Sequence, residues 1–391
     1  LGSGFISLAK ERGRIRSLAL DDGSAIGGSV FIDASYEGDL MAAAGVPYAV
    51  GREPAMKYGE NLGGVHLEEP QVAVNPFDTE GPLPGVSAGS PGVSESGDAK
   101  VATYQMRVWL VAEREMETPI EEPAGYEARN YELLGRCLAV GAAGSLEDLL
   151  GWQTLPGNRV AVAESRKSVV SLGMPGPQFA YPQGSRAARE EIYRAHLRHA
   201  QGMLWFLQTD RRAPEPIRKA ILGYGLCADL WTANRNWPPA MEVREARRMV
   251  GELIITQRDL SFRREKTDSI GLGLGDAECP VVDRFATGRD AFVNEGRFRL
   301  KGKPFQIPWL AMLPRAIHCE NLLVPVCLSA SHVAWHGLRS ELTLMILGES
   351  AGVAAAIAVD KGKAMQELDP LILQAKLRRL GLVLDLPHTL R

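Results

Sequence analysis

The chain has 391 residues, 45% hydrophobic and 23% charged, an ordinary globular composition, and its length makes two domains the expectation. With 44 basic and 47 acidic residues the net charge is −3, which offers no basic surface for nucleic acid. We read no apolar run as long as the ~18 residues a bilayer span needs, so neither nucleic acid nor a membrane span is expected.

In chain order, residues 5–32 read as strands. Polar turns fall around Gly13 and at Asp21-Asp22-Gly23, and Asp-Gly is a strong hairpin signal. The last strand differs, because Val30, Phe31 and Ile32 are consecutive and apolar, as in a strand buried on both faces of a mostly parallel sheet. Residues 39–44, closed by Gly45, read as a short helix. Residues 76–97 are rich in Pro, Gly and Ser and read as a long loop. A strand is expected at 104–111 and helices at 126–140 and 186–208. A further helix is expected at 242–255, where Val243, Ala246, Val250 and Leu253 form one apolar stripe. A second buried strand and turn occupies 321–331, followed by helices at 341–360 and 370–380. Both ends thus carry candidate pieces of one dinucleotide-type core, with a large mixed region between them. The expected fold is mixed α/β. Its parts are a first core segment at 1–71, an inserted substrate or cap domain at 72–304 and a returning core segment at 305–391.

Chemistry is sought where the buried strand delivers Asp33-Ala34-Ser35 to its carboxyl end, the usual ligand side of an open α/β sheet. Amides at the start of the helix beginning at Asp39 suit an anion or a cofactor edge; a plain strand–helix turn capped by Asp33 or Asp39 is the alternative. At the far end Gly348, Ala351, Gly352, Ala355 and Ala356 line one helical face. Two glycines inside a helix, each costing ~1 kcal/mol relative to alanine, imply close approach by a flat cofactor or by a neighbouring element. Arg339, read as lying near a helix start, is out of place for the helix dipole; a bound anion, a carbonyl or a salt bridge to Glu341 would explain it. His332 and His336 flank Trp335 before it, either as an acid or base facing a ligand or as packed histidines. His196 and His199, three apart, read as a solvated helix face in preference to a metal pair. Arg244, Arg247 and Arg248 with Glu242 and Glu245 read as a salt-bridged helix face. The five cysteines, Cys137, Cys227, Cys279, Cys319 and Cys327, form no CxxC. They read as buried or free thiols, with no metal site.

The segments FIDASYEGDLMAAAGVPYAVGRE (31–53), PPAMEVREARRMVGELIITQRDL (238–260) and NLLVPVCLSASHVAWHGLRSELTLMILGESAGVAAAIA (321–358) resemble the FAD-dependent oxidoreductase family of large bacterial flavoproteins, some of which carry the label xanthan lyase. The similarity runs from about residue 14 to 360, with several long motifs in order. It implies an FAD/NAD(P)-binding, Rossmann-like domain. It makes Asp33, Ala34, Ser35, Asp39, Ser331, His332, Arg339, Gly348 and Gly352 candidate FAD neighbours, and His332, His336 and Arg339 candidate catalytic groups. FAD is the implied cofactor. A small molecule, carbohydrate-like if Trp205, Trp231 and Trp237 stack on it, is the implied substrate, alongside an unidentified electron acceptor.

The family's opening strand and G-x-G-x-x-G turn, which grip the ADP pyrophosphate, are missing; GLGLG at 271–275 has the wrong spacing. With Leu1 in place of Met, a truncated start is expected, giving no reading of compartment and weak or no FAD binding. After DSIGLG, where relatives read an aromatic residue, an acid and a histidine, this chain has Gly275, Glu278 and Pro280, so no general base is assigned. The leading expectation is hydride transfer between flavin and substrate. Its rivals are a carbohydrate-active lyase without redox chemistry and a cofactor-less binding protein on the same scaffold.

Overall fold

The computed structural model describes residues 4–67, 70–261 and 264–386. The chain opens with an antiparallel meander, Phe5–Glu11, Arg14–Leu20 and Ala25–Gly27. Its turns use Gly13 at φ 78° and Gly23 at φ 82°, left-handed positions where glycine carries no Cβ penalty. The strand Phe31–Ile32 follows and pairs parallel with Leu322–Leu323, the one parallel strand pairing among the described residues. Phe31 N–H donates to the Asn321 carbonyl at 2.8 Å and Asp33 N–H to the Leu323 carbonyl at 2.9 Å. The Asn321 side chain ties in the meander by exchanging hydrogen bonds with the Ile15 backbone at 2.8 and 2.9 Å. The two ends of the chain therefore meet in one place, around a core of Ile15, Phe31, Met41, Leu322, Val324 and Cys327.

The middle of the chain builds a five-stranded antiparallel sheet. Its order is Leu150–Leu155, Arg159–Glu164, Val108–Val111, Gly225–Cys227, Glu117–Thr118. The helix Arg186–Thr209 begins where Ser185 Oγ accepts the Ala188 N–H at 3.2 Å, an N-cap bond. It buries Ile192, Ala200, Met203, Phe206 and Leu207 in the same core as the sheet. Near the C-terminus the pair Ser269–Gly273 and Phe305–Pro308 packs with the helices Glu341–Lys361 and Pro370–Arg379.

Three readings from sequence are corrected and one is extended. Residues 242–255 are not a helix. The chain there is extended, and Arg248–Met249 pairs with Tyr48–Ala49. Its charged side chains are ion-paired, as read, but not along a helix face: Arg244, Glu245, Arg247 and Arg248 are all buried, and their ion pairs with distant segments override the local 3.6-residue spacing. His196 and His199 do not lie on a solvated face. His196 is buried with Nδ1 at 2.8 Å from the Ile192 carbonyl, and half-buried His199 stacks on Tyr131 at 6.0 Å. Arg339 lies near the start of Glu341–Lys361, as read, but it is also the C-cap of the helix His332–Leu338. There a cation is favoured by the dipole, because the chain breaks at Arg339-Ser340 before the next helix begins. Finally, Glu341–Lys361 is long and apolar enough to cross a membrane by length and composition, contrary to the reading of the sequence. Its small residues raise its hydropathy, and a core helix passes the same test. One side of it, with Leu344, Leu347, Ala351, Ala354 and Ala358, packs in the core.

The opposite side of that helix is open. A Cβ added at Gly348 or Gly352 would meet nothing within 4 Å. Leu342 and Met345 are 73% and 70% exposed, and Ile32 and Tyr36 are also exposed. The expected small-residue face therefore divides: Ala351 faces the core, while Gly348, Gly352 and Ala356 border an open apolar surface. All five cysteines are buried and free.

Candidate active site

The turn after Phe31–Ile32 is held from inside. The Asp33 carboxylate accepts the Ser35 hydroxyl at 2.6 Å, the Ser35 N–H at 3.2 Å and the Met41 N–H at 2.8 Å. Ser35 Oγ in turn accepts the Gly38 N–H at 3.0 Å. Gly38 has φ 67°, and a Cβ there would lie 2.9 Å from Met41 Cε. Asp33 and Ser35 are thus the internal frame of the turn. What the turn presents outward is Tyr36, Glu37 and Asp39, which line a cavity of about 1060 Å³. Asp39 receives both terminal nitrogens of Arg189, at 2.5 and 2.8 Å, and Arg247 at 2.6 Å. Burial raises the Asp39 carboxyl, but the two guanidiniums outweigh it and hold it below its ordinary value.

The opposite walls come from the middle and the end of the chain: Arg107, Trp109, Tyr181, Trp231, Glu242, Arg244 and Arg339. Trp109 and Trp231 meet edge to face at 6.1 Å. Of the three tryptophans singled out in the sequence, only Trp231 lines this cavity; Trp237 is in the core. A second cavity of about 590 Å³ shares Arg107, Glu242, Arg244 and Arg339 with the first. At this shared wall Glu242 Oε2 accepts Gln105 at 2.6 Å and Arg107 at 3.3 Å. Burial by itself would raise the Glu242 carboxyl, but Arg244, Arg107, Gln105 and Arg339 together hold it down at about 2. Burial, then the Glu341 and Glu242 charges, raise the Tyr36 phenol, so Tyr36 stays a hydrogen-bond donor at neutral pH.

Behind Arg339 lies a closed polar chain. Arg339 Nε donates to His336 Nδ1 at 3.2 Å. His336 Nε2 faces a Glu245 oxygen at 3.5 Å, too long for a hydrogen bond. Glu245 also receives His332 Nδ1 at 2.9 Å and pairs with Arg248. The far nitrogen of His332 lies 3.8 Å from Cys279 Sγ. Burial drives His336 down to about 3 and pushes the Cys279 thiol well above its ordinary range. His332 and His336 are buried and line neither cavity. Ser331 is buried as well, with its hydroxyl donated to Glu60 at 2.6 Å.

With both ends of the chain facing one cavity, comparison with known proteins decides the class. A family model described as FAD dependent oxidoreductase matches residues 1–377. The chain belongs to that family. Its cofactor is accordingly FAD, and its chemistry oxidation–reduction. No curated protein and no solved structure matches the chain.

The residues present fit the flavin end of FAD. The large cavity is lined by the aromatic side chains of Tyr36, Trp109, Tyr181 and Trp231, and Arg247 on its wall has a buried Nε with no hydrogen-bond partner. The 391 residues hold no G-x-G-x-x-G turn for the ADP half. The sequence had pointed to Tyr36's turn and to Arg339. It did not point to Arg107, Trp109, Tyr181 or Arg189, which sit in an alternating strand, a loop and a helix with no motif around them. Nor did it point to Glu245 as the hub behind the site, since that segment reads as a salt-bridged helix face.

Proposed function

We propose that the protein transfers hydride between FAD and a small substrate held in the large cavity, with the segment 72–304 shaping the substrate side and the segments 1–71 and 305–391 the flavin side. The observation that carries this is the shared cavity: Tyr36 and Asp39 from one end of the chain and Arg339 from the other face it together, in a family that uses FAD. FAD, when bound, supplies the hydride acceptor or donor. Asp39 lines its side of the cavity, whereas Ala34, Gly348 and Gly352 do not line it. Asp33 and Ser35 hold the turn that presents Asp39, and Ser331 caps the helix that ends in Arg339 by accepting the Ala334 N–H at 3.1 Å.

Arg339 and Arg244 place positive charge at the cavity wall where negative charge develops in the reaction, as an oxyanion site does. His336 fixes Arg339 through its Nδ1, and His332 fixes Glu245; both histidines are positioning residues. Glu242 is ionised throughout the neutral range and serves to anchor the guanidiniums, not to donate a proton. The aromatic walls suit a ring-bearing, sugar-like substrate.

The test is the flavin midpoint potential of the protein purified from its own cells, in wild type and Arg339→Gln. Losing a cation that stabilises the reduced state lowers the potential by tens of millivolts, since ~30 mV corresponds to ~1.4 kcal/mol for two electrons. The melting temperature moves little, because Arg339 is partly exposed. An unchanged potential removes Arg339 from the mechanism.

A further inference from the structure

We propose that the smaller cavity is an oxyanion subsite, so that the substrate is acidic: its ring lies against Trp109 and Trp231, and its carboxylate, sulfate or phosphate reaches past the shared wall. This assigns a substrate class to the site proposed above and rests on that reading for its role in the reaction. The anion site itself stands without flavin.

The first observation is charge. The chain carries a net charge of −3, yet this cavity is lined by Arg107, Arg166, Arg244, Arg297, Arg299 and Arg339 against only Glu164, Glu242 and Glu278. The three glutamates do not balance the six arginines, although Arg299 is paired with Asp276. Glu164 is taken by Arg244 and Glu278 by Arg166. Glu242 alone is approached by three guanidiniums, Arg107 at 3.3 Å, Arg244 at 3.7 Å and Arg339 at 3.9 Å. Guanidiniums crowded this closely repel one another: burial, and next the Arg244 charge, pull Arg339 below its ordinary value. A second anion between them relieves that repulsion.

The second observation is hydrogen bonding. Arg244 Nε and His66 Nε2 are buried nitrogens without hydrogen-bond partners, and both residues line this cavity. The Arg244 side chain is only 7% exposed and His66 8%. Buried polar nitrogens without partners are rare and costly. The Arg244 guanidinium has its Nη1 bound to the Glu164 carboxylate, while its Nε has only Glu242 at 3.7 Å, beyond hydrogen-bond reach, and so keeps one donor of a fork for an oxyanion. Chloride fits such a fork poorly, and a neutral sugar has no charge to offer it.

The experiment is isothermal titration of the 391-residue protein with sodium sulfate, sodium D-glucuronate and D-glucose, in buffer held at constant ionic strength with sodium chloride. The variants are Arg166→Gln/Arg299→Gln, whose side chains are each 61% exposed and tolerate change, and Arg244→Gln. Arg194→Gln, lining neither cavity, is the control. The inference predicts saturable binding of sulfate and of glucuronate, none of glucose, and at least tenfold weaker binding in both arginine variants with the control unaffected. Sulfate binding without glucuronate binding overturns the substrate role and leaves a site for free inorganic anions. No saturable binding of either anion, or binding unchanged in the arginine variants, overturns the subsite itself. A colourless protein that still binds these anions would refute the flavin reading and leave this one standing.

Discussion

Replacing Glu245 by glutamine removes one negative charge from the hub behind the active site and changes almost no volume. The Glu245 side chain is fully buried, pairs with Arg248 and receives His332 Nδ1 at 2.9 Å. Breaking a buried ion pair from one side costs ~3–5 kcal/mol, because the partner charge is left in a poor environment. Here Arg248 keeps Glu53 at 2.7 Å and the Gly51 and Ala330 carbonyls at 2.7 and 3.1 Å, which places the loss near the lower end, about 3 kcal/mol. For a chain of this size the entropy of unfolding is roughly 0.8 kcal/mol/K, so the melting temperature should fall by about 4 °C. Thermal unfolding followed by near-ultraviolet circular dichroism reads this, with exposed Glu252→Gln as the control, expected within ~0.5 kcal/mol of wild type. A Glu245→Gln protein that melts within a degree of wild type would show that Arg248 and the histidines are satisfied without this carboxylate, and the hub account would be wrong.

Three other outcomes follow from the same geometry. His336 has a folded pKa of about 3 against ~6.5 in the unfolded chain, so the unfolded state takes up the proton first as pH falls. Its contribution is complete above pH ~6.5 and lost progressively toward pH ~3. The urea midpoint should therefore drop between pH 7 and pH 5, and less so in His336→Gln; identical slopes would remove His336 as the cause. Gly38→Ala places a Cβ at φ 67° and 2.9 Å from Met41 Cε, which should cost ~1–3 kcal/mol and loosen the turn that presents Asp39; full stability by urea titration would count against the frame described for that turn. Ser35→Ala removes the hydroxyl that both donates to Asp33 and accepts from Gly38. It should cost ~1 kcal/mol, with faster amide exchange at Gly38 as the local readout; unchanged exchange there would contradict the role.

The parts of the fold that were legible depend on neighbours in sequence. Gly13 and Asp22-Gly23 specify turns by their own backbone preferences. The helices at 186–209 and 341–361 declare themselves by length. That the two ends share one core was legible from the apolar runs at 30–32 and 322–326; their parallel pairing was not, and Ile32 is exposed where burial on both faces was expected. Residues 242–255 were not legible, because their conformation is set by Glu164, Asp39 and Glu53, all far away in sequence. Four apolar residues at helical spacing could not reveal that the arginines between them would be buried and extended. The same gap hid the site. Arg339 was found from its place just before the helix at Glu341, but its place as C-cap of His332–Leu338 was hidden, since the break after Leu338 leaves no mark in HGLRSELTL. Trp109 and Arg107 look like the alternating positions of any half-buried strand until the cavity is seen.

The central claim is that this chain works with a flavin, and the visible spectrum of the protein isolated from its own cells tests it most directly. The account predicts an absorbance band near ~450 nm from the oxidised isoalloxazine, released as FAD on denaturation at one equivalent per chain, and bleached on reduction. A protein that is colourless, releases no FAD and stays colourless when FAD is added would contradict it.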